Sequence, residues 1–90
     1  MVKAQEIANA ICKRVKESQV VNFAAWRIGI TNDVKERYEY WGKPEHFLYW
    51  KADSLSDAQT VESHFINKKG MQGGTGGDLD PRKPVYVYIF

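Results

Sequence analysis

Two charged residues, Arg37 and Glu62, stand on helix faces that their neighbours mark as apolar. Over residues 54–68, an advance of 100° per residue places Leu55, Ala58, Val61, Phe65 and Ile66 on one stripe, and Glu62 falls inside it. Val34, Tyr38 and Trp41 likewise share a face, with Arg37 among them. A charge left alone against a core is costly, so these two must pair, meet a metal ion, or line a wet cleft. An Arg37 to Glu62 salt bridge meets that demand structurally. One-metal phosphodiester hydrolysis meets it chemically: the carboxylate holds a divalent cation on the phosphate, and the guanidinium forks onto its oxygens as charge builds.

The elements that must position these residues follow from periodicity. Residues 2–17 space Ala4, Ile7, Ala8, Ile11 and Val15 three or four apart, an amphipathic helix whose Lys13, Arg14 and Lys16 suit the negative end of its dipole. Residues 22–31 alternate as a strand, with Trp26, Ile28 and Ile30 on one side and Phe23, Ala25, Arg27, Gly29 and Thr31 on the other. Asn32 or Asp33 then caps a short helix, with Glu36 placed for a capping box, and WGKPE ends it. Residues 46–52 read as a second strand, Ser54 and Asp57 open the helix carrying Glu62, and PVYVYIF at 84–90 is the last strand. The predicted order is α-β-α-β-α-β in a single domain spanning residues 1–90. Residues 70–84 form a Gly-rich flexible loop within it, holding five of the seven glycines. That loop lacks the Gly-Lys-Ser/Thr ending of a nucleotide-binding loop, so it reads as a connector or as backbone that approaches a phosphate chain.

With the elements in place, the motifs resemble those of the GIY-YIG nuclease superfamily. IGIT at residues 28–31 is similar to the family's YIG strand, Arg37 lies six residues after Thr31, and Glu62 in AQTVESHF matches the metal-binding glutamate. GMQGGTGG resembles the glycine-rich tail of small relatives, and the likeness covers residues 23–77. It implies an α+β fold in which a small three-stranded antiparallel sheet is flanked by about three helices. It also implies hydrolysis of DNA with one Mg²⁺ or Mn²⁺, held by Glu62, with a tyrosine helping to activate water.

The chain departs from the family pattern at three places. Arg27 replaces the tyrosine of YIG and cannot act as a neutral phenol. Trp41, beside Tyr40, stands where the family often has histidine. Nothing before Asn22 reads Gly-Ile-Tyr. If the last strand occupies the missing slot in a permuted connectivity, Tyr86 or Tyr88 supplies the absent tyrosine; otherwise both are ordinary cross-strand packing. The candidate catalytic set is Arg37, Tyr86, Tyr88 and Arg27, with Glu62 on the metal. The alternative is a nuclease-like fold without chemistry that binds nucleic acid or a protein partner.

Composition limits these readings. The 90 residues carry a net charge of only +2, so local basic clusters, not bulk charge, would bind nucleic acid. His46 and His64 are too far apart in sequence for zinc-type spacing, and Cys12 has no histidine placed to activate it. A lone cysteine and the lack of a membrane-length apolar run or leader fit a reducing, cytoplasmic setting without membrane contact. Dimerisation through the C-terminal strand is left open, because a three-stranded sheet has two free edges.

Overall fold

The computed structural model describes residues 3–18, 22–73 and 79–90. Its elements are α1 (Ala4–Glu17), a 3-10 turn (Phe23–Ala25), β1 (Ile28–Thr31), α2 (Val34–Tyr40), β2 (Leu48–Lys51), α3 (Leu55–Asn67) and β3 (Tyr86–Ile89). The fold is α+β, with three helices around a three-stranded antiparallel sheet of order β1-β3-β2. The C-terminal strand is therefore central and has no free edge, which removes it as a dimerisation edge. The outer side of β1 is partly taken as well: Gln72 forms a parallel bridge with Arg27, its N–H donating to Trp26 O and its carbonyl accepting from Ile28 N–H, both at 2.9 Å.

Register divides the sheet into two chemically different faces. Ile28 and Ile30 on β1 align with Ile89 and Val87 on β3, and Leu48 and Trp50 on β2 align with the same pair. This aliphatic face joins Ile7, Ile11 and Val15 of α1 and Ala58, Val61 and Phe65 of α3 in one buried core. Both helices are amphipathic, and burial of these stripes, not helix propensity, holds them in place. The opposite face carries Arg27, Gly29 and Thr31 of the β1 segment against Phe90, Tyr88 and Tyr86, with Tyr49 and Lys51 on β2.

The first strand is shorter than periodicity predicts. Asn22 accepts a hydrogen bond from Ala24 N–H through its side chain, and Ala25 and Trp26 N–H return to Asn22 and Phe23 carbonyls, so residues 22–25 close a turn. Such local side-chain bonds compete with a ladder, and here they win. The turn brings Phe23 toward the core, 5.9 Å from the Phe65 ring, not to the side opposite Trp26. At the other end of β1, Asp33 caps α2 by accepting from Glu36 N–H at 3.0 Å, while Asn32 has a different task. Its amide donates to Asp80 O and Pro84 O and accepts from Asp80 N–H, latching the approach to β3 onto the end of β1. Part of the Gly-rich loop, residues 74–78, lies outside the described residues.

Candidate functional site

The aromatic face of the sheet holds most of the residues singled out from sequence. Tyr88 lies opposite Gly29 on β1 and Tyr49 on β2, and is 4% exposed. Glycine makes room there: a Cβ on Gly29 would collide with the Tyr88 ring and hydroxyl and force the ring to shift. Trp41, the C-cap of α2, donates its indole N–H to the Tyr88 hydroxyl at 3.0 Å. The Arg27 guanidinium sits 4.7 Å from the centre of the Trp41 ring and reaches Gln72 Oε1 at 3.4 Å. Arg27, Trp41 and Tyr88 thus form a cation, ring and phenol stack. A phenol accepting from Trp41 can still donate its own proton, and among the described residues no protein acceptor takes it.

The stack belongs to a larger surface. Tyr88, Phe47 and Phe90 stack on one another, Trp41 and Tyr49 join them, and Tyr38, Tyr40 and Tyr86 extend the network at its margins. Tyr86 is half-buried and meets Tyr49 edge-on at 6.0 Å, two residues along β3 from Tyr88 on the same face. Arg37 flanks this face from α2, half-buried, with its guanidinium 5.2 Å from the Tyr40 ring centre.

Glu62 approaches from the other side. Helix α3 packs on β1 and β3 from the aliphatic face, and Glu62 is 6% exposed within its buried stripe. The inward placement predicted for this carboxylate is what the structure has, but it has no arginine partner. Among the described residues the ion pairs are Lys13 with Glu17 and Arg82 with Asp80, and Glu62 Oε2 is buried without a hydrogen-bond donor. Desolvation pushes its carboxyl from the ordinary 4.5 to about 7. A structural salt bridge between Arg37 and Glu62 is therefore not the reason for the inward charge. The two helices lie on opposite faces of the sheet, and Arg37 is engaged by Tyr40.

No group of three or more His, Cys, Asp or Glu side chains suited to a metal occurs among the described residues, and His46 and His64 are both exposed. The last strand is adjacent to β1, the arrangement a permuted connectivity needs. Sequence reasoning did not find the Trp41 bridge to Tyr88, the Gln72 clip or the Asn32 latch. A glycine inside a strand was the one available signal, because it marks close approach by a neighbour. No family model matches the chain, and no curated protein and no solved structure is significantly similar to it. The class defined by fold and site is an α+β domain with one aliphatic, helix-covered sheet face and one aromatic, cation-bearing face.

Proposed function

We propose that this chain is a GIY-YIG-like domain acting as a divalent-metal-dependent DNA endonuclease. The observation that carries this reading is Glu62: among the described residues its Oε2 is buried with no hydrogen-bond partner, and the carboxylate makes no ion pair. One carboxylate fits Mg²⁺ or Mn²⁺, ions that retain waters and take phosphate oxygens instead of needing a full protein cage. When bound, the cation would supply positive charge to the phosphate and a more acidic water. Arg27 and Arg37 carry guanidinium donors suited to phosphate oxygens on the aromatic face, across the sheet from Glu62, so a shared phosphate requires the backbone to reach around the sheet edge. Tyr88, oriented by Trp41 and given room by Gly29, offers its free proton to a substrate oxygen or water, and Tyr86 lies on the same face.

The test is cleavage of plasmid and branched DNA with Mg²⁺ or Mn²⁺ by the native protein, Glu62→Gln and Arg37→Ala. Activity lost in both variants, with folding retained, supports the reading. A readout apart from activity is thermal stabilisation by the metal alone at pH 8, expected in the native protein and absent in Glu62→Gln.

The second reading is the same fold without chemistry, binding nucleic acid through the aromatic face. What favours it is that Arg37 and Glu62 start from opposite sides of the sheet. A native protein that binds DNA but neither cuts it nor responds to metal would establish this second reading.

A further inference from the structure

Beside the Tyr88 stack, α2 and the start of β2 enclose an open cavity of about 550 Å³, lined by Tyr38, Pro44, Phe47 and Tyr49 with Lys35 and Glu45 at its polar margin. Its volume lies in the range of small-ligand sites. We infer that this cavity holds an unpaired base of single-stranded DNA, so that the domain selects single-stranded or frayed substrate over intact duplex. The inference rests on the nucleic-acid reading above and adds the form of the substrate.

Three observations select this occupant. Tyr38 meets Phe47 at 66°, while Tyr49 meets Phe47 at 47° and Tyr86 at 76°, so neither tyrosine has a parallel stacking partner among the described residues. Both rings line the cavity, and Tyr49 is 54% exposed, so a planar ligand entering the cavity meets them directly. Lys35 supplies a cation for a phosphate, and Glu45 supplies an acceptor for a base amino group. Phe47 is a shared wall: besides the two tyrosines it stacks on Phe90 and on the Tyr88 ring, the latter at 5.3 Å and 20°, which leads on to Trp41 and Arg27. A strand with one base in the cavity would therefore run its backbone toward the arginine stack. Ring stacking tolerates any base, whereas a stacked duplex presents none.

Binding of a labelled single-stranded oligodeoxynucleotide of mixed sequence and of the duplex of the same sequence, followed by fluorescence anisotropy without metal, tests this. The native protein should prefer the single strand. Tyr49→Ala, a change at an exposed ring, should weaken single-strand binding by about 5- to 150-fold, the equivalent of one lost base stack, and leave duplex binding nearly unchanged. Lys35→Ala should weaken binding and reduce the salt slope by about 1. Unchanged single-strand affinity in Tyr49→Ala overturns the inference, and so does Tyr49-dependent binding of a proline-rich peptide in place of the strand. The inference also falls, with the nuclease reading intact, if duplex is cut in a Glu62-dependent way while Tyr49→Ala binds normally. It stands, and the nuclease reading falls, if Tyr49-dependent binding is present and no cleavage occurs with any metal.

Discussion

At the residue scale, Glu62 links stability to pH in a direction opposite to most carboxylates. Its folded carboxyl is raised from 4.5 to about 7, so the folded state binds the proton more tightly than the unfolded chain. Its contribution to stability is full below pH 4.5, declines as pH rises toward 7, and levels off above that. The loss is about 3 kcal/mol, and Glu62→Gln should flatten this slope and be the more stable protein at pH 8. Urea midpoints at pH 5 and pH 8 for both proteins check it; parallel slopes would show that the carboxyl is solvated in solution. Gly29→Ala makes the complementary case. The Tyr88 ring it would strike is held by Trp41 and stacked against Phe47 and Phe90, so the ring cannot step aside at no cost. A destabilisation of about 1–3 kcal/mol is expected from chemical denaturation, with a change in Trp41 fluorescence.

At the element scale, the aromatic face depends on how β3 is delivered between β1 and β2. Asn32 makes three hydrogen bonds to residues 80 and 84, so Asn32→Ala should cost about 1–3 kcal/mol by leaving backbone groups unpaired. Hydrogen exchange should show the loss concentrated at the β1–β3 ladder. Asp33→Ala removes the cap of α2 and should cost about 1 kcal/mol, with Trp41 and Arg37 loosened because both ride on that helix. If Asn32→Ala leaves β1–β3 protection intact, the latch is dispensable. On the outer side of β1, Gly73 serves close packing, since a Cβ there would meet Ile28 O at 2.7 Å.

At the scale of the whole molecule, the two sheet faces divide the work. One is covered by α1 and α3 and holds the core; the other is rich in rings and flanked by Arg27, Arg37 and Lys51, which concentrates cations that a net charge of +2 conceals. DNA binding through this face should fall steeply as salt rises, because each phosphate contact releases counterions. A flat salt response would move the binding reading toward a protein partner. No helix among the described residues is long and apolar enough to cross a membrane.

The order of elements, the aliphatic stripes, the Ser54 cap and the inward position of Glu62 were legible in the sequence, because each depends on spacing within a few residues, whereas for the cap of α2 the structure chose Asp33 from the pair Asn32 and Asp33. Local pattern misjudged residues 22–25, where a side-chain cap outcompeted the strand. What only the tertiary structure decided are contacts between residues far apart in the chain: Tyr88 against Gly29 and Trp41, Arg27 over Trp41 with Gln72, Asn32 on residues 80 and 84, and the lack of an Arg37 partner for Glu62. These follow from β3 inserting at the centre of the sheet, a choice of pairing and register that periodicity does not encode, since any of the three strands could bury an aliphatic face in the middle position.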